Sequence, residues 1–506
     1  MNAKKLISMI LLVNIMMVSI SGCSSASGGK ENESDVTDVA DVADQTNEKP
    51  VLKYLGCNVT FDLPNSPMIS IIENVTGYKM EYEALPEGDE GTTKLLLLIS
   101  SGTPYDIINQ YTNNFDRLLA ANAARPVDDL IKNAPNLREA VPEDSNSWQR
   151  VRGKDGKHYG IPQLSPIKQA VSTIAVRKDI MEDLDIQMPA TPDEFYNTLK
   201  IIKNERPEMI PLTIDKAFSA PPIQSGFNVY KDWYEVDGKL ICNQQRPEYK
   251  QYIDFMRKLY SERLLDNEFP ANDTSKRLSL FTSGKAAMTF FGYGDGPGFY
   301  SALDKSVSGA EVDYIPFLES ENGNKGAMAS GGLEKVCVIP KAAAHPDDAM
   351  AWIDAFMANF KQLYIGEEDV DHKVEDGKYI PIMPNFAVHD TMWWFMPAID
   401  EAHCFDWWQA RVRKNEEVER GYMDTFALKT SDANIVTPFF EMIPLDEEFI
   451  KLGNTLDQYW NDEMIKIIAG ASPMENYDRV VEKWESDGGI EYVRLANDMW
   501  KENRQG

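Results

Sequence analysis

Aromatic rings and planar polar groups, more than nucleophiles or metal ligands, are the residues of this sequence whose types and spacing could do chemistry. Two tryptophan pairs, Trp393-Trp394 and Trp407-Trp408, fall in a ring-rich stretch, Asn385 to Gln409, of weak periodicity. Adjacent rings in irregular chain point opposite ways, so one of each pair is expected in the core and the other exposed, with at least one of the four rings at a ligand. Tyr293 stands in Phe291-Gly292-Tyr293-Gly294-Asp295, where the flanking glycines allow close backbone approach. Phe61 and Asp62 follow the first strand, and Tyr111, Asn113 and Asn114 follow a strand ending at Ile108. Open α/β sheets place ligands at that edge. Such rings stack on the C–H faces of a sugar at low entropic cost, while amides and carboxylates meet its hydroxyls in pairs. Trp233 and Tyr234 fit a core or a surface role equally well.

Other chemistry finds little material. No G-x-S-x-G elbow, H-E-x-x-H helix, P-loop or Ser-His-Asp arrangement stands out. The histidines, His158, His345, His372, His389 and His403, lack metal-ligand spacing. Gly366 to His372 clusters carboxylates but lacks the alternating ligands and central glycine of a Ca²⁺ loop, so a solvated turn is expected. A glycosidase needs two facing carboxylates, a criterion that 80 acidic residues leave open. No metal or cofactor is expected. A formal charge of −29 repels phosphate backbones and excludes nucleic acid as a partner.

The elements that would position these residues alternate between strand and helix. Val51 to Leu55 reads as a strand, Thr92 to Ser100 as a helix packed around Leu95 to Ile99, and Tyr105 to Ile108 as a buried strand. Thr191-Pro192-Asp193-Glu194 has the residues of a capping box. Tyr249, Tyr252, Ile253, Met256 and Leu259 form an apolar stripe, as do Ala349, Trp352, Ile353 and Phe356 after the strand Val336 to Ile339. The alternation predicts an α/β layer fold. Cys57, Cys242, Cys337 and Cys404 never form C-x-x-C, and free buried thiols are expected.

At the N-terminus, Lys4 and Lys5 precede an apolar run from Leu6 to Ile20 that ends in Ile20-Ser21-Gly22-Cys23. This is the pattern of a secretory signal peptide over residues 1–22, too short for a comfortable membrane span. Its end resembles a bacterial lipobox, which implies lipidation of Cys23. Residues 23–50 read as an acidic tether, with Asp35, Asp38, Asp41 and Asp44 at every third position.

Five fragments in consistent order then resemble one family. They are Lys94 to Ile108, Asp155-Gly156-Lys157-His158-Tyr159-Gly160-Ile161-Pro162, Leu259 to Phe269, Phe281 to Met288, and Val338-Ile339-Pro340-Lys341 with His345 to Ala349. The chain resembles the extracellular solute-binding proteins of bacterial carbohydrate-type ABC transporters, and is more distantly similar to the maltose-binding protein. The resemblance implies a two-lobed, type II periplasmic-binding-protein-like α/β fold with a hinged cleft. Residues 51–170 and 326–385 would form the first lobe, and 171–325 with most of 386–506 the second. It implies a monomeric receptor on the outer face of the cell membrane. That receptor would close on an oligosaccharide and pass it to transmembrane permease subunits. It also points to Tyr293 as a stacking residue, with Asp295 beside it. A peptide receptor on the same scaffold and a secreted polysaccharide-degrading enzyme are the alternatives.

Overall fold

The computed structural model describes residues 48–165, 169–170, 172–218, 220–330, 332–426, 434–436, 438–440, 443 and 445–505. Residues 1–22, expected to be a signal peptide, Cys23 and residues 24–47 lie outside them. In chain order the strands of the first half are β1 (Leu52–Gly56), β2 (Met80–Ala84), β3 (Ile107–Tyr111), β4 (Ile161–Leu164), β5 (Gln169–Ala170), β6 (Thr173–Arg177) and β7 (Ile210–Thr213). They continue as β8 (Trp233–Val236), β9 (Lys239–Cys242), β10 (Ala286–Phe291), β11 (Val312–Ile315), β12 (Gly326–Ser330), β13 (Leu333–Val338) and β14 (Asn434–Val436).

Five of these make a first sheet in the order β2-β1-β3-β13-β4. Here β1 runs parallel to β2 and β3, while β13 is antiparallel to β3 and β4. Leu52, Tyr54 and Leu55 of β1 and Ile107 to Gln110 of β3 are buried, as strands covered on both faces require. A second sheet has the order β11-β6-β10-β7. Its period of two is visible in β6, where Ile174 and Val176 enter one apolar cluster and Ala175 another on the opposite side. The chain passes from the first sheet to the second between Leu164 and Thr173, and back between Ile315 and Leu333. Each passage carries one short strand, and the two, β5 and β12, pair with each other.

Each sheet has its own core. The first gathers Tyr54, Phe115, Trp352 and Phe356. The second gathers Phe195, Tyr252, Met288, Trp460 and Trp484. Residues 386–506, expected mostly with the second lobe, divide between them. Phe386, Trp394, Phe395, Trp408 and Tyr422 pack into the first core, and Phe449 onward into the second. The change falls between Phe426 and Phe449, well beyond the boundary expected at 385.

Local expectations hold where a cap or a period decides them. Thr191 accepts from the Glu194 amide at 3.3 Å and Glu194 accepts from the Thr191 amide at 3.2 Å, closing the box that starts helix Pro192–Glu205. The helix expected over 92–100 extends over Gly88–Ser101, but only Leu95 of its leucine run is buried, and Leu97 is 65% exposed. Successive residues turn by about 100°, so four apolar neighbours cannot all face one core. The segment expected to be irregular around the tryptophan pairs is helical, over Met392–Phe395 and Cys404–Arg413. Cys57, Cys242, Cys337 and Cys404 are buried free thiols.

Candidate functional site

The residues singled out from the sequence gather largely at the first core. Trp394 is fully buried, and its indole nitrogen donates to the Cys57 carbonyl at 3.0 Å. Phe61, half-buried, sets its ring edge-on to Trp394 at 6.2 Å, and Asp62 is exposed, accepting from the Asn65 amide at 2.8 Å. Trp407 and Trp408 are both buried: Trp407 lies between Phe360 and His403, and Trp408 against Tyr422. The one-in, one-out expectation therefore fails for this pair, because neighbouring positions on a helix covered from two sides find different partners. Trp393, half-buried, lies beneath the Lys335 ammonium, 4.8 Å from its ring centroid, and accepts from Lys335 Nζ through its carbonyl at 2.5 Å. Lys335, on β13 opposite Tyr111, is fully buried, and burial holds its pKa below the usual lysine range.

Tyr293 is different. It sits in the turn after β10 of the second sheet, yet its ring meets Trp408 edge-on at 5.7 Å and Tyr422 at 6.1 Å, both from the first core. It thus bridges the two halves. Asp295 accepts from the Gly292 amide at 2.9 Å and stands 3.9 Å from Arg277. Tyr111 ends β3, half-buried, and burial raises its pKa; Asn113 is exposed in the first turn of helix Thr112–Ala120.

None of these ten residues lines one large cavity among the described residues. That cavity, of about 720 Å³, is bounded by Thr112, Arg150 and Leu333 from the first-sheet side and by Trp233, Tyr249, Phe449, Trp460 and Tyr492 from the second core. Its size falls in the range of small-molecule sites, about 300–1,000 Å³. Phe449 and Tyr492 stack at 4.4 Å and 9°, Trp233 tilts against Tyr492 at 5.4 Å, and Tyr249 lies 5.9 Å from Trp460. The hairpin β8–β9 turns on Asp237 and Gly238, both at positive φ, which matches the twist of the strands and sets Trp233 opposite Cys242. Helix Glu447–Ile468 supplies Phe449, Asp457, Trp460 and Asn461, spaced so that they share one face.

Three charged side chains line the cavity. Arg150, 2% exposed, donates through Nη2 to Asp116 Oδ2 at 2.6 Å, and its Nη1 has no hydrogen-bond partner among the described residues. Asp232 and Asp457 look in from the opposite wall. The Asp232 carboxyl is pushed up to about 6 by burial and by the charge of Asp457, and burial raises Asp457 as well. Both carboxylates are open to the cavity, yet protein surrounds them closely enough to desolvate the charge.

Sequence reasoning missed this wall because its stripes carry the spacing of ordinary core. Asp457, lying between the apolar Leu456 and Trp460 on a helix that packs into the second core, was the one readable signal.

The family model described as "Bacterial extracellular solute-binding protein" matches residues 67–359. The polygalacturonan/rhamnogalacturonan-binding protein YtcQ of Bacillus subtilis (strain 168) is 24% identical over 469 residues, 87% of this chain and 89% of that protein. The crystal structure of the alginate-binding protein AlgQ2 without calcium ion is similar at a TM-score of 0.68 and 16% identity, over 89% of this chain and 98% of that one. The S. pneumoniae ABC-transporter substrate-binding protein FusA in complex with kestose is similar at a TM-score of 0.67 and 17% identity, over 90% and 100%. These structural likenesses carry the fold: two α/β lobes of the type II class. With a family match over more than half its length and two sheets linked by paired crossings around a ring-lined cavity, the chain belongs to the bacterial extracellular solute-binding proteins.

Proposed function

We propose that this protein captures an oligosaccharide outside the cell by closing two lobes on it, and delivers it to the permease of an ABC importer. The observation that carries this reading is the 720 Å³ cavity, with aromatic rings on one wall and Thr112, Arg150 and Leu333 on the other. Rings offer flat apolar faces to pyranose C–H groups, and the carboxylates, amides and guanidinium around them pair with hydroxyls. A similar polygalacturonan/rhamnogalacturonan-binding protein and a similarly folded substrate-binding protein in complex with kestose support the same ligand class. The paired crossings β5 and β12 would serve as the hinge. No bond is made or broken in this cycle.

Because a ligand that binds only the folded state stabilises it by mass action, a bound oligosaccharide raises the melting temperature. At 100 times Kd the gain is about 2.7 kcal/mol. A thermal-shift series over neutral, acidic and amino oligosaccharides and over peptides tests this directly. A transition moved by peptides and by no sugar would exclude the carbohydrate reading.

We also propose that Cys23 carries the lipid that keeps the receptor beside its permease, at a high effective concentration. Cys23→Ala is expected to leave ligand affinity unchanged while releasing the protein into the medium and impairing uptake. Fractionation of cells expressing the variant checks this, and full membrane retention would contradict it.

A further inference from the structure

Helix Glu416–Phe426 touches both halves of the molecule. Val418 and Tyr422, four apart on one face, pack into the first core. Glu417, Arg420 and Gly421 share another face, turned to the second half. The Glu417 carboxylate accepts from the Gly298 amide and, at 2.7 Å, from the Ser301 amide, so it caps helix Phe299–Ser306 from across the junction. Its charge also meets the positive end of that helix. The Arg420 guanidinium lies over the Tyr300 ring, 4.0 Å from its centroid. A glycine on each side lets the backbones approach. A Cβ on Gly296 would come within 2.7 Å of the Glu417 carbonyl oxygen, and one on Gly421 within 3.1 Å of the Phe291 ring. Phe291, Phe299 and Tyr300 belong to the small cluster on the face of the second sheet opposite the cavity's rings. On the cavity's own face the halves meet as well, Lys154 to Asp446 at 3.3 Å.

We infer that Glu417 is an interlobe clasp, holding the halves in the arrangement where both wall the cavity and so raising the affinity for a ligand enclosed there. Such a role rests on capture by lobe closure. Glu417 rides on the first half and Gly298 and Ser301 on the second, so a hinge motion that widens the cavity also parts donor from acceptor. A hydrogen bond of this length is lost within about 1 Å of displacement, so the clasp belongs to this arrangement and to no wider one. A receptor held this way without ligand binds more tightly, because apparent affinity scales with the fraction of molecules already competent. Glu417 does not line the cavity, so it acts on the halves and not on the ligand.

The test combines small-angle X-ray scattering of the ligand-free mature protein with calorimetric titration by trigalacturonate and by kestose. Glu417→Ala is expected to enlarge the ligand-free radius of gyration, and saturating ligand to restore the wild-type value. Affinity should fall by about tenfold, within the usual range of a coupling between distant positions. Glu417→Gln should lie between, because its amide oxygen can accept from one N–H while its NH₂ group opposes the other. Gly296→Ala is the second variant. Gly296 has ordinary helical backbone, so the change suits the chain locally, but its Cβ pries the contact apart while Glu417 stays in place. It should reproduce the effects of Glu417→Ala. Unchanged size and affinity in both variants overturn the clasp and leave lobe closure standing, provided ligand still compacts the wild type. Tighter binding by the variants also overturns it, since the contact would then hold the cavity open. Enlarged variants of a protein that answers neither trisaccharide keep the clasp and count against oligosaccharide capture.

Discussion

Trp394→Ala is expected to destabilise the protein by about 3–5 kcal/mol, the usual cost of truncating a buried aromatic ring to alanine, and to leave the affinity of the folded molecules unchanged. The ring is fully buried among Tyr54 at 5.4 Å, Phe395 at 5.0 Å and Tyr82 at 6.1 Å. Its indole N–H satisfies the Cys57 carbonyl, which the variant would leave buried and unpaired. Packing here tolerates no added atom: a Cβ on Gly56 would come within 2.2 Å of the Trp394 ring, so a glycine on β1 is required for the ring to lie there. Urea denaturation with and without ligand separates the two effects. Full stability with lost binding would return Trp394 to the ligand role that its sequence context suggested.

Arg150 carries the second large effect. Arg150→Ala removes the partner of Asp116, a carboxylate 7% exposed, and leaves it charged in the interior. Breaking a buried pair in this way costs about 3–5 kcal/mol, whereas replacing both members with apolar groups of similar volume is often close to neutral. The double variant Arg150→Met with Asp116→Leu is therefore expected to recover most of the stability lost by Arg150→Ala. It should still bind ligand more weakly, because a cationic side chain lining the cavity is gone. Equilibrium unfolding of the two variants, together with titration of the double, checks both halves. A single variant as stable as the double would show that Asp116 is not stranded.

Much of the framework was legible in the sequence. Thr191 and Glu194 have the chemistry of a capping box, and the structure closes it. The run Tyr105 to Ile108 read as a buried strand, and β3 begins within it at Ile107. The five ordered fragments identified the family, and the family match confirms it. The site was less legible. Tyr293 reaches from the turn after β10 to the first core, where it packs on Trp408 and Tyr422 rather than lining the cavity of about 720 Å³. The tryptophan pairs drew attention by rarity, and three of their four rings are buried in the first core.

Local rules explain the division. Capping, strand period and the order of short motifs act between residues close in sequence, so the chain by itself determined its α/β character, its capped helices and its family. Which apolar stripe walls a cavity depends on what faces it, and here Trp233, Tyr249, Trp460 and Tyr492 are brought together from four separate segments of the chain. Helical spacing is the same for a ring that meets core and a ring that meets space. Only the tertiary structure decided which rings do which, and only it placed Asp232 and Asp457, more than 200 residues apart, on one wall where the charge of Asp457 bears on Asp232.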